Sequence, residues 1–142
     1  MILRMCSQIT KMPTPYRIAI FEDNEIDRFI FESNLRLVNF PVEFFIFNNP
    51  DDGIATAQRI PFDLVIINIH FWGTEYGYVI LEEFQKGIAI QPRFIAVSAF
   101  VHEKDSVNIQ LRGFEAIVEK PLIYAELQLL LDCYCKAKRK VS

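Results

Sequence analysis

The feature that most constrains this chain is the alternation of two hydrophobic periods along its length. Short runs rich in β-branched and aromatic residues fall at positions 17–21, 42–47, 64–69, 94–97 and 116–118, and such runs read as strands. Runs two to four are nearly continuous in apolar residues, as strands buried on both faces of a parallel sheet require, so helices are expected on both faces. Between the runs the period moves toward 3.6, in Ile26, Phe29, Ile30, Ser33 and Leu37, and again in Leu127, Leu130, Leu131 and Tyr134. Ile54, Ala57 and Ile60 form a shorter helix stopped before Pro61, and Val79, Ile80 and Phe84 one that starts near Gly77. The segment 102–112 is weakly patterned, with Val107 and Leu111 on one face. The order (βα)5 predicts an α/β domain built on an open, doubly wound parallel sheet with right-handed crossovers.

A length of 142 residues and a hydrophobic content of 51% suit one domain with a sizeable core. A net charge of -3 gives no basic field toward nucleic acid or an anionic membrane surface. The basic run Lys136-Ala137-Lys138-Arg139-Lys140 reads as a solvated helix end. Cys6, Cys133 and Cys135 are odd in number and lack zinc spacing. Reduced thiols, together with the lack of a signal-like or membrane-spanning apolar run, place the expected protein in the cytoplasm. The expected organisation is a loosely attached or disordered lead over 1–15, one domain over 16–135 and a basic tail over 136–142.

Open α/β sheets bind ligands beyond the carboxyl ends of their strands, near the point where strand order reverses. Run one ends in Glu22-Asp23, run three carries Asn68 and is followed by His70, run four ends in Ser98, and run five in Glu119-Lys120-Pro121. With strand order 2-1-3-4-5 these ends converge, while Asn48 and Asn49 of run two stay at the edge. Two carboxylates, a carboxamide, a hydroxyl and an ammonium suit a hard divalent cation beside an anionic oxygen group. Singly each residue is bland: Ser98 or Lys120 alone is an ordinary surface residue, and Glu22-Asp23 could be a helix N-cap.

Over positions 16 to 134 the chain resembles the receiver domains of two-component response regulators. The matching blocks are Arg17-Ile18-Ala19-Ile20-Phe21-Glu22-Asp23-Asn24, Asp63-Leu64-Val65-Ile66-Ile67-Asn68-Ile69, Phe94-Ile95-Ala96-Val97-Ser98-Ala99 and Glu119-Lys120-Pro121. The resemblance implies a flavodoxin-like fold of strand order 2-1-3-4-5. It also implies a magnesium site at Glu22, Asp23 and the main-chain carbonyl of His70, Ser98 and Lys120 as partners of a phosphoryl group, and a cis bond before Pro121. The family's phosphoacceptor aspartate aligns with Asn68, whose amide is a poor nucleophile. Trp72 stands where the family commonly has proline, one extra residue precedes Gly77, and the aromatic switch position aligns with Ile117. Magnesium binding is therefore expected to be weak.

The expected function is a stand-alone pseudo-receiver, a non-enzymatic module that contacts a histidine kinase, a phosphotransfer protein or another signalling protein, with a homodimer also open. No output domain follows Tyr134, so signalling is expected through surface contacts. Phe71, Trp72 and Phe100 fall in loops at the rim, where exposed aromatics would mark an interface. One alternative is a phosphorylatable receiver whose native residue 68 is aspartate. Another is a flavodoxin-like binder of a small anionic ligand, disfavoured because no glycine-rich loop follows run one. Catalysis by His70 or His102 is weaker still, since neither has an evident serine or cysteine nucleophile.

Overall fold

The structure, a computed structural model, describes residues 14–39, 41–100 and 103–136, with only the main chain described at 103–105 and 136. The lead before Thr14, Cys6, His102 and the basic tail lie outside the described residues. Strands β1 (Tyr16–Phe21), β2 (Val42–Phe47), β3 (Leu64–Asn68), β4 (Arg93–Ser98) and β5 (Ala116–Glu119) alternate with helices α1 (Glu25–Leu35), α2 (Pro50–Arg59), α3 (Tyr76–Gly87), α4 (Glu103–Arg112) and α5 (Tyr124–Leu131). All strand pairs are parallel and the order is β2-β1-β3-β4-β5, the flavodoxin-like order.

Successive side chains of a strand point to opposite faces, so the continuous apolar runs build two cores at once. Ala19, Phe21, Val65, Ile67 and Ala96 face one core with Phe84 of α3 and Phe114. Ile18, Ile20, Ile66, Ile95 and Val97 face the other with Phe31 and Leu35 of α1 and Leu127 and Leu131 of α5. Helix starts are fixed by side-chain caps: Asn24 Oδ1 accepts from Asp27 N at 3.0 Å, and Asn49 Oδ1 accepts from Asp51 N at 2.9 Å with Pro50 opening α2.

Four expectations are corrected. The second run is an edge strand, half-buried rather than buried on both faces, because only β1 pairs with it. On α1 the inward face is Phe31 and Leu35, whereas Ile26 and Phe29 are 70% and 69% exposed and Leu37 is also exposed. The reason is that the inner stripe begins with polar residues, Asp27 and Arg28, that reach into the strand-end cleft, so the apolar period read from the sequence tracks the outer face. On α4 the buried residue among those whose side chains are described is Ile109, and Val107 and Leu111 point outward. The N-cap expectation for Glu22-Asp23 moves one residue on, to Asn24.

At the head of α3 only glycine fits. A Cβ at Gly77 would lie 2.4 Å from the Asn68 main-chain oxygen and 2.6 Å from Ile69 Cα, and its N–H donates to Ile69 O at 3.0 Å. The helix is thereby seated directly on the end of β3.

Candidate functional site

The ends of β1, β3, β4 and β5 converge on a cleft of about 450 Å³, lined among others by Asp23, Asp27, Asn68, His70, Phe100 and Lys120. Glu22 is fully buried at its floor. Its Oε1 accepts from Asn24 N at 3.1 Å and from Asn68 Nδ2 at 3.0 Å. Its Oε2 makes an ion pair with Lys120 Nζ at 2.7 Å. Lys120 is shared with Asp27 Oδ2 at 2.8 Å. Asp23 accepts from Asn68 Nδ2 at 3.3 Å through Oδ1 and from Trp72 N at 3.0 Å through Oδ2. Asn68 Oδ1 accepts from His70 N at 3.2 Å.

This network orients the Asn68 amide. Its nitrogen is the only donor among its two end groups and faces two carboxylates, while its oxygen faces a main-chain N–H; the reverse orientation would leave like partners opposed. Burial pushes the Glu22 carboxyl above its ordinary value, with the Lys120 hydrogen bond and charge and the Asn24 N–H pulling the other way. Burial alone would lower Lys120, but the hydrogen bonds and charges of Asp27 and Glu22 outweigh it and raise the ammonium above its ordinary value.

The remaining expected residues divide. Ser98 is buried and its hydroxyl donates to Phe100 O at 2.9 Å, accepts from Phe100 N at 3.2 Å, and lies 3.4 Å from His70 Nδ1. It lines a small neighbouring pocket with His70 and Phe100 rather than the cleft itself, and is engaged by its own loop. The His70 carbonyl accepts from Gly73 N at 3.1 Å. Ile117 is half-buried against the aromatic core. The bond before Pro121 is cis. Among the rim aromatics Phe71 is corrected: it is fully buried in the core, while Trp72 and Phe100 are 52% and 71% exposed. The backbone explains the inversion, because Trp72 has φ +58° and Gly73 follows at φ +70°, turning Phe71 inward and Trp72 outward.

Sequence reasoning missed Asp27, Arg28 and the Trp72 main chain as members of the site. Arg28 Nη1 donates to the Asp23 carbonyl at 2.6 Å. The signal available was Asn24: once it caps α1, residues 27 and 28 fall in the first turn beside the cleft.

A hard cation needs oxygen donors turned toward it. Here each carboxylate oxygen of Glu22 and Asp23 already faces an N–H group or the ammonium, and Asn68 presents its nitrogen. Among the described residues no group of three or more His, Cys, Asp or Glu side chains could hold a metal ion. The residues as arranged do not fit a resident magnesium.

No family model matches the chain, and no curated protein matches it. Many solved structures do. It is similar to a response-regulator receiver domain from Methanospirillum hungatei at 21% identity and TM-score 0.72, covering 91% of this chain and 100% of that one. A second, from Methylobacillus flagellatus, is 18% identical with TM-score 0.69 and covers 85% and 99%. The receiver domain of a sensor histidine kinase from Pseudomonas aeruginosa, solved with magnesium in its active-site cleft, is 21% identical with TM-score 0.70 and covers 85% and 98%. The chain thus has the fold of response-regulator receiver domains. Among the described residues no helix is long and apolar enough to cross a membrane.

Proposed function

We propose that this chain is a pseudo-receiver: a non-enzymatic, cytoplasmic signalling module on the receiver scaffold that acts by protein–protein contact and is not phosphorylated at Asn68. The observation that carries the reading is the Asn68 amide, which donates to both Glu22 and Asp23 at 3.0 and 3.3 Å. It removes the carboxylate nucleophile needed for an acyl phosphate and completes the charge network without a phosphoryl group. Lys120, the ammonium that would meet a phosphoryl oxygen, is committed to Glu22 and Asp27.

Contact with a partner is supported by large apolar side chains left in solvent: Phe100 in the cleft lining, Trp72 whose main chain meets Asp23, Ile26 and Phe29 on α1, and Ile123 at the head of α5. Exposed aromatics grouped about a polar centre are the composition of a recognition surface. A histidine kinase or phosphotransfer protein is the partner class this fold implies.

Incubation with acetyl phosphate and magnesium, followed by intact-mass measurement, tests the reading. The chain gains no phosphoryl mass. An adduct at Asn68 or on a neighbouring carboxylate sinks the proposal.

A further inference from the structure

We infer that the ring pair Trp72 and Tyr76, with the carboxylates of Asp51 and Glu83 about it, docks the basic run Lys136-Ala137-Lys138-Arg139-Lys140 of a second copy of this chain. The inference goes beyond the reading of position 68 and does not rest on it.

Trp72 is 52% exposed, and its ring leans on Tyr76 at 4.9 Å between centroids and on the buried Phe71 at 5.1 Å. The loop thus holds an indole in solvent on a fixed base. Indole is the side-chain ring that attracts a cation best. Among the described residues Arg36, Arg93 and Arg112 stand over Phe44, Tyr134 and Tyr78, while no cation stands over Trp72. The charge about the pair is negative. Tyr76 opens α3, Glu83 follows two turns along the same side of that helix, and Asp51 and Asp52 occupy the first turn of α2, which packs beside α3. Partial burial raises the Tyr76 phenol above its ordinary range, and the charges of Glu83 and Asp51 push it the same way. Among the described residues none of Asp51, Asp52, Glu75 and Glu83 is in an ion pair. Arg28 and Lys120 of the cleft are turned instead to the Asp23 carbonyl and to Glu22 and Asp27. A cationic segment therefore finds an uncovered indole in a negative field.

The chain carries such a segment in a place from which it cannot serve its own site. The Tyr16 hydroxyl donates to the Cys135 carbonyl, so residue 136 leaves the domain at the N-terminal end of β1, whereas Trp72 lies beyond the C-terminal end of β3. A strand of six residues such as β1 spans about 20 Å. The two places also lie on opposite faces of the sheet, α5 with Ile18 and Ile20 and α3 with Phe21 and Val65, which adds about 10 Å for each helix layer crossed. The five residues 136–140 reach about 18 Å at most. A neighbouring copy has no such limit, and the contact joins two different surfaces of the chain.

Sedimentation velocity over a range of protein concentrations tests the inference with the full chain, with Trp72→Ala, and with the triple variant Lys138→Gln, Arg139→Gln, Lys140→Gln. The unaltered chain associates at about 0.01 M salt and comes apart at about 1 M, where the Debye length has fallen from about 30 Å to about 3 Å. Each variant alone associates about tenfold more weakly or less, since one lacks the ring and the other its cations. Mixed, the two restore association, because Trp72→Ala supplies the run and the triple variant the site. Trp72 is the sole tryptophan, so indole emission in the mixture comes from the site-bearing protein alone and changes as the run docks. A chain that is monomeric at every concentration overturns the inference, as do association that survives about 1 M salt, a triple variant that associates like the unaltered chain, or a mixture that stays apart. Should Trp72→Ala fail to fold, Asp51→Asn with Glu83→Gln takes its place in the mixture. The phosphoryl test above is untouched by any of these outcomes.

Discussion

Replacing Asn68 by aspartate tests whether the amide balances the charge of the cleft. In the folded protein Asn68 is buried and its nitrogen donates to Glu22 and Asp23. The substitution converts two favourable contacts into oxygen-to-oxygen approaches at about 3 Å, where two unit charges repel by about 5 kcal/mol at an effective dielectric of about 20. That figure has a ceiling. A carboxyl of reference pKa about 3.9 can instead take up a proton, at about 1.4 kcal/mol for each pH unit, so near pH 7 the cost saturates at about 4 kcal/mol. A loss of about 2–4 kcal/mol is expected, which for a domain of this size lowers the melting temperature by about 8–15 °C. The sign with pH follows. The introduced carboxyl has a raised folded-state pKa, so the folded variant binds more protons than the unfolded chain above the ordinary carboxyl range. The deficit is small near pH 4 and grows as pH rises toward 7. Magnesium, binding the folded variant, recovers part of the loss. Paired thermal melts in chelator, at pH 4.5 and 7.5, then with magnesium, measure all three effects. An unchanged or higher melting temperature in chelator at pH 7.5, or a deficit independent of pH, refutes the charge argument.

Removing Lys120 by methionine leaves Glu22 buried with no cation and costs about 3–5 kcal/mol by denaturant unfolding, whereas Glu22→Gln in the same chain restores much of it; additive losses would show that the pair is not coupled. Because Lys120 is raised above its ordinary 10.5, its stabilisation is complete below that value and is lost as pH rises through the higher folded-state value; the difference between the chain and Lys120→Met in alkaline melts therefore persists to about pH 10 and shrinks beyond it. Phe71→Ala, which empties a core position, costs about 3–5 kcal/mol, while Phe100→Ala in solvent changes stability by less than about 0.5 kcal/mol; equal losses in urea titrations would contradict the inward and outward placement of the two rings.

The parallel sheet was legible because strands buried on both faces leave a continuous apolar run, and once the order β2-β1-β3-β4-β5 holds the strand-end residues Glu22, Asp23, Asn68 and Lys120 are in contact with one another while Ser98 lines a small pocket beside them. Three things were not legible, for different reasons. The inner face of α1 was hidden because it exchanges apolar for polar residues halfway along, Asp27 and Arg28 giving way to Phe31 and Leu35, so a search for one apolar stripe finds the outer one. The inversion of Phe71 and Trp72 depends on a positive φ at a tryptophan, which no residue preference announces. The pairing of Lys120 with Asp27 joins positions 93 residues apart, and only the assembled sheet brings them together.

The contact between Gly77 and the end of β3 has a mechanical consequence. With no side chain to act as a cushion, the first turn of α3 bears on the main chain of Asn68 and Ile69, so the helix and the strand tip move as one stiff lever. Tyr76 is the residue before that fulcrum, and it carries the indole of Trp72. A protein that grips this aromatic pair from outside therefore also holds the tip of β3, and its pull is delivered to position 68 through rigid backbone rather than through any chemical change in the cleft.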